Sequence, residues 1–402
     1  MSKIEQLGRV VVVGIAVGAG IPVGANAWHD WCARRAESAR AEQYATAGKA
    51  ALAAGDLELA VDDLSNALGA DPQLGDLHGV LLDARVEQLL KEPVTVAPGA
   101  AVHLDADLKQ ALAGPKAGNV RYMLAQGRIL QLRDKAEAAR TLFTEAAAKE
   151  PTLALAQLLL GDAWLKAGDL EKAAAPLQKA LELDPASPQA SLALGQVRLK
   201  QEKWDDAATL LSKAADGLPR NPQALLSLGN ARLHQKQNES AVAALEKALA
   251  LDPNLAGAHE LIGEAYAGLG KADAAIGAFR MAWEKFQDVT AYKNLGRVLL
   301  QVGRPQEALP VFKTLNSLDD SDPEPLVAIS ICAQALGDLN SAQAALARAE
   351  KILPSVTPPE RGVEWQKIVN DRKQALAQAI AKGGGGAGGK DAKPEMADKK
   401  KP

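Results

Sequence analysis

Cysteine, histidine and aromatic residues are scarce in this 402-residue chain, and each scarcity closes off a class of function. The two cysteines, Cys32 and Cys332, lie far apart and form no CxxC pair. A disulfide framework and a thiolate zinc site are therefore both excluded. Five histidines, at 29, 78, 103, 234 and 259, make no HExxH, because His259-Glu260 lacks the second histidine four residues on. His259 reads instead as a structural histidine within a helix. Neither a GxSxG elbow, a phosphate-binding P-loop nor a kinase motif set occurs. No catalytic residue, metal ligand or cofactor follows from the sequence, and no small-molecule substrate is implied. The chain is expected not to be an enzyme. Aromatics make up only 3% of the residues, and Ala, Leu, Gln, Glu and Lys dominate, which favours helix over strand. A net charge of −3 with both signs intermixed offers no basic face for nucleic acid.

What the chain does have is repetition. LQKALELDP at 177–185 returns as LEKALALDP at 245–253, an interval of twice thirty-four. Gly127, Gly161, Gly195, Gly229 and Gly263 recur every thirty-four residues, with Gly296 one residue early and Gly48 upstream. A second signature follows each glycine: Ala139, Phe143, Ala146, then Ala173, Leu177, Ala180, and likewise Ala207, Leu211, Ala214 and Ala241, Leu245, Ala248. Ala275, Phe279 and Ala282 continue it, Ala60, Leu64 and Ala67 open it, and Ala342, Leu346 and Ala349 close it. Intervals of four and three put these residues on one helical stripe, narrow enough for a neighbouring helix to come close. Gly168, Gly270, Gly303 and Gly337 sit where a first helix must end and turn. A proline after each second helix, as at Pro185 and Pro253, stops it. Pro176 and Pro310 fall inside second helices, where they remove a backbone hydrogen bond.

These residues resemble the tetratricopeptide repeat, whose units are helix–turn–helix pairs with this order of small, large apolar and proline positions. The resemblance implies an all-α, right-handed solenoid of about nine units. They fall at 41–74, 120–153, 154–187, 188–221, 222–255, 256–288, 289–322 and 323–356, with a degenerate one at 75–119 carrying a loop at 92–102. Residues 357–382, with Val363, Ile368, Leu376 and Ile380 apolar, read as a polar-faced capping helix. A Gly-rich linker and a lysine-ended tail occupy 383–402.

The amino terminus is of another kind. VVVVGIAVGAGIPVGANA, residues 10–27, is apolar throughout and is followed by Trp28 and Trp31. It reads as a single-pass membrane anchor with interfacial tryptophans. The competing reading is a signal peptide cleaved after Ala27 at the A-x-A formed with Ala25. Gly14/Gly18 and Gly20/Gly24 each form G-x-x-x-G, a means of homo-oligomerisation through the anchor. Basic residues nearly balance on the two sides, and the short basic amino terminus has the form of an export signal. The repeats are thus expected outside a bacterial inner membrane, in the periplasm, with 32–40 as a juxtamembrane linker.

In such solenoids, the resemblance implies, first helices line a concave groove, and the residue after the signature glycine points into it together with the one a turn earlier. That places Arg128, Gln196, Asn230, Glu264 and Arg297 in the groove with Glu260 and Lys293, and Arg121 at its beginning. Lys293 and Arg297 resemble half of a carboxylate clamp, although the matching upstream lysine position holds Leu226. Glu264 is expected to pair with Arg297 across neighbouring units. The expected function is a membrane-tethered, non-enzymatic scaffold that binds a protein or peptide in this groove during assembly of a cell-envelope complex. Lys293 and Arg297 are expected to meet acidic residues of the partner. A soluble periplasmic assembly factor, and a regulatory subunit of an enzyme whose catalytic residues lie in another chain, remain as alternatives.

Overall fold

The computed structural model describes residues 25–91, 98–114 and 116–381. Within them are nineteen α-helices, one short 3₁₀ turn and no strand. The chain divides at Leu183/Asp184 into two compact units. The first holds α1 (Ala25–Ala54), α2 (Leu57–Ala70), α3 (Gly75–Lys91), α4 (Pro98–Ala113), α5 (Val120–Leu132), α6 (Ala136–Lys149), α7 (Ala154–Lys166) and α8 (Leu170–Leu183). The second holds α9 (Pro188–Lys200), α10 (Trp204–Gly217), α11 (Pro222–His234), α12 (Asn238–Leu251), α13 (Ala258–Gly268) and α14 (Ala272–Phe286). It continues with α15 (Val289–Gln301), α16 (Pro305–Leu318), α17 (Pro323–Ala335), α18 (Leu339–Ile352) and α19 (Pro359–Ala381). Consecutive helices pack as hairpins, except α3 and α4, which each pack on α5, and each hairpin packs on the next within its unit.

The core is the alanine stripe. Ala139, Phe143 and Ala146 are fully buried, as are Ala207, Leu211 and Ala214, and the same three positions are closed in the other signature hairpins. The stripe fits because of the glycine sixteen residues before its large member. A Cβ on Gly127 would stand 2.4 Å from Phe143, one on Gly195 2.7 Å from Leu211, and one on Gly263 2.6 Å from Phe279. Carbon atoms in contact prefer about 3.5–4.0 Å, so only glycine lets the two helices meet here. In the final hairpin the position is taken by Ser330, fully buried, whose Oγ has no hydrogen-bond partner.

The turn inside each hairpin is equally regular. Its residue in left-handed conformation is Gly55, Asp134, Gly168, Glu202, Lys236, Gly270, Gly303 or Gly337. The following N–H then bonds back across the helix end, as from Asp169 to Trp164 at 3.1 Å and from Lys203 to Arg198 at 2.9 Å. This is the six-to-one closure that ends a helix without orphaned carbonyls. The three non-glycine residues carry the conformation at a cost. Five first helices begin with Asn119, Ser187, Asn221, Asp288 or Asp322 capping a free N–H, while α7 and α13 begin after Leu153 and Gly257 without a side-chain cap.

Three local expectations change. The helix expected to follow a loop at 92–102 begins already at Pro98, since proline fits the first helical position where no N–H is needed. On α19 the buried positions are Gly362, Trp365, Val369 and Leu376, whereas Val363 is 73% exposed and Ile380 faces solvent. Spacings of three, four and seven define that stripe, and Val363 and Ile380 fall off it. The segment read as a linker at 32–40 is continuous helix within α1. Pro176 and Pro310 do lie inside helices, α8 and α16.

No described helix is long and apolar enough to cross a membrane. The apolar run 10–27 lies outside the described residues up to residue 24, as do both G-x-x-x-G pairs, and so does the tail 383–402.

Candidate partner-binding surface

In each unit, first helices pack side by side. In the second unit α9 touches α11, α11 touches α13 and α13 touches α15, and in the first α3 touches α5. Like helices in direct contact form a continuous face, and the position after each signature glycine lies on it because its own glycine is turned into the hairpin.

In the first unit this face is clasped by arginine. Arg121 forms an ion pair of 2.5 Å with Glu87 of α3. Arg128 reaches the Leu89 carbonyl at 2.7 Å, and its burial depresses the guanidinium pKa against the opposing charge of Asp162. Both side chains thus bridge α5 to α3.

In the second unit the row begins with half-buried Leu192 and Leu226, one helical turn before Gln196 and Asn230. Gln196 donates to Ser227 Oγ at 3.3 Å. Asn230 Oδ1 is buried without a hydrogen-bond partner. Glu260 and Glu264 follow on α13, half-buried, and Glu264 accepts from Asn294 Nδ2 at 3.2 Å.

The basic pair is already occupied by the chain's own carboxylates. Lys293 Nζ lies 2.8 Å from Asp322 and 3.3 Å from Glu324, while Arg297 donates to Glu324 through Nε at 2.8 Å and Nη2 at 2.5 Å. Arg297 also donates to Asn294 Oδ1 at 3.3 Å, and Arg361 of α19 lies 3.9 Å from Asp322. Glu324 is only 10% exposed and Lys293 22%. Burial on its own would lower the Lys293 pKa, but the hydrogen bond to Asp322 and the charges of Glu324 and Asp322 outweigh it, and the net change is upward. Lys293 and Arg297 thus form a strut between α15 and the start of α17, in which the Arg297 side chain stays 44% exposed. Nothing in the repeat signature gives Glu324 away, because the signature leaves the residue type in the first turn of a first helix open: the same place two residues after the cap holds Arg121, Leu155, Gln189 and Gln223 in earlier repeats.

His259 has its Nε2 buried without a partner, and burial together with Lys285 lowers its pKa. Cys332 is a buried free thiol whose pKa burial pushes up to about 11, which leaves it inert. Among the described residues no group of His, Cys, Asp and Glu is placed to hold a metal ion.

Four repeat-family models match the sequence: one described as "TPR repeat" at residues 161–202, and three described as "Tetratricopeptide repeat" at 192–256, 232–297 and 291–326. Comparison with the curated proteins finds no match. Among solved structures the chain is similar to the APC/C hetero-tetramer Cut9–Hcn1, with a TM-score of 0.50 and 17% identity over 71% of this chain. It spans 54% of the length of that structure's chain, and the likeness is one of fold. A tetratricopeptide repeat protein from Parabacteroides merdae ATCC 43184 matches with a TM-score of 0.41 and 16% identity, over 65% of this chain and 99% of that one. YrrB, a TPR protein described as having an unusual peptide-binding site, matches with a TM-score of 0.39 and 24% identity, over 44% of this chain and 92% of that one.

Proposed function

We propose, from the premise that the chain belongs to the tetratricopeptide-repeat family through residues 161–326, that it is a non-catalytic scaffold which holds an extended or helical segment of a partner protein on the first-helix face of its second unit. Stacked hairpins of this family form interaction surfaces, and that much needs no finer assumption. The observation that carries the finer reading is the row Leu192, Leu226, Gln196 and Asn230, half-buried apolar side chains edged by amides on adjoining first helices. Apolar floor with amide edges suits a backbone-rich segment, which presents both carbons and hydrogen-bonding groups.

The scaffold works tethered to a membrane through residues 10–27, with the repeats exported and engaged in assembling a cell-envelope complex. Support comes from the eighteen-residue apolar run, the tryptophans that follow it and the basic amino terminus. Tethering is tested by extracting membranes with carbonate: the full chain should stay in the pellet and a chain lacking 1–31 should not. An amino-terminal sequence beginning at Trp28 would contradict it.

Partner binding is tested by Gln196→Arg with Asn230→Arg, which fills the row with bulk and charge. Capture of the partner should fall at least about tenfold, while Lys213→Glu with Lys247→Glu, on exposed positions of second helices, leaves it unchanged. Equal loss from both pairs would remove the groove from the account.

A further inference from the structure

Outside the first-helix face, the second unit has a cleft of 540 Å³ at the edge formed by two successive hairpin turns. Its lining comes from Glu202, Lys203, Trp204, Asp205 and Asp206 on one turn and His234, Gln235 and Gln237 on the next. Trp204 and His234 stack at 3.9 Å between ring centroids, with planes 9° apart. Asp205 accepts a hydrogen bond from Gln235 at 2.7 Å, which ties the two turns together. Arg232, which is not part of the lining, donates to the side-chain oxygens of Gln235 and Gln237 at 3.2 and 2.8 Å.

The repeat does not call for this tryptophan. Its register, the first residue of a second helix, is filled elsewhere by Ala136, Leu170, Asn238, Ala272, Pro305 and Leu339. Trp204 is half-buried, outside the closed stripe of Ala207 and Leu211. An indole at the mouth of a cleft, backed by an imidazole, offers a flat π surface. The cleft's own ionised lining is three carboxylates against one ammonium. A ligand that satisfies both features is cationic, planar and of side-chain size. Guanidinium meets all three conditions, since it stacks on aromatic faces and forks between carboxylates, whereas a strongly hydrated ammonium does neither as well.

We infer that this cleft is a second docking point, which takes an arginine side chain of a protein partner between the Trp204–His234 stack and the carboxylates of Glu202, Asp205 and Asp206. It lies on the turn edge of the hairpins and is separate from the first-helix row, so one partner can be gripped at two places or two partners can be held at once.

The test uses the full-length chain labelled with 5-fluorotryptophan. Fluorine NMR then shows one signal for each of its six tryptophans, and Trp204→Leu, which installs the residue found at Leu170 and Leu339, identifies the relevant one. The probe is acetyl-Gly-Arg-Gly-amide, with acetyl-Gly-Glu-Gly-amide as the comparison. The arginine peptide should shift the Trp204 signal saturably and the glutamate peptide should not. Asp205→Asn with Asp206→Asn should raise the dissociation constant about tenfold, equivalent to ~1.4 kcal/mol. Gln196→Arg with Asn230→Arg should leave it unchanged, which separates this cleft from the first-helix row. An unmoved Trp204 signal, an equal response to the glutamate peptide, undiminished affinity in the double asparagine variant, or loss of binding in the Gln196/Asn230 variant would each overturn the inference.

Discussion

Two glycines of one hairpin should respond to alanine with opposite signs. Gly263 lies on α13 and Gly277 on α14, both in helical conformation. Alanine is the better helix former by about 1 kcal/mol, and that gain applies at both sites. At Gly277 nothing lies within 4 Å of the new Cβ, so the gain stands alone. At Gly263 the Cβ would meet Phe279 Cε1 at 2.6 Å, Cδ1 at 2.7 Å and Cζ at 3.0 Å. The ring must retreat by roughly 1 Å to restore ordinary contact. Phe279 is 1% exposed and wedged between Ala275 and Ala282, so it retreats only by parting the two helices. Overpacking of this kind costs about 3 kcal/mol, leaving Gly263→Ala about 2 kcal/mol less stable. Gly277→Ala should be about 1 kcal/mol more stable. Because stacked repeats open piecemeal, the difference is best read from native-state hydrogen exchange of α13 and α14 amides. Protection that rises in both variants, or falls in both, would refute the close-packing explanation of the repeated glycine.

Three further outcomes are expected. Lys236 sits at φ 60° in a position where four other hairpins of the set use glycine between 168 and 337, so Lys236→Gly should stabilise by about 0.5–1 kcal/mol in thermal melting. Ser330→Ala removes a buried hydroxyl without a partner and should raise stability by about 1 kcal/mol; a decrease would mean that the hydroxyl is satisfied. Lys293 has a folded pKa above its ordinary 10.5, so its stabilising contribution is complete below that value and is lost as pH climbs through the folded one. Wild type should therefore lose more melting temperature between neutral and strongly alkaline pH than Lys293→Met, and equal losses would contradict the strut.

The hairpins were legible because their causes are local and periodic. Ala207, Leu211 and Ala214 announce a buried stripe by spacing alone, and Gly168 or Gly337 announces a turn. Asp134, Glu202 and Lys236 hold the same turn conformation but were hidden, since the surrounding helix ends impose a geometry that these residues do not prefer. The edges of the candidate surface were harder. Arg297 has a matching carboxylate twenty-seven residues away in Glu324, and no periodic rule points to it, because the repeat fixes that position and leaves its residue type open, with Arg121, Leu155, Gln189 and Gln223 standing there in earlier repeats. On α19 the charged background made Val363 look like core, while Trp365 and Val369 form the seam. Trp204 and His234, thirty residues apart, became neighbours only through the stacking of two turns.

Whether the first-helix face of the second unit holds a partner is decided by site-specific photocrosslinking in the source cell. A benzophenone side chain placed in the full chain at 196 or 230 should trap one and the same partner. Placed at 213 or 247, on exposed second-helix positions, it should trap none of it. A partner captured from 213 and 247 but not from 196 and 230 would contradict the claim and move recognition to the opposite side of the hairpins.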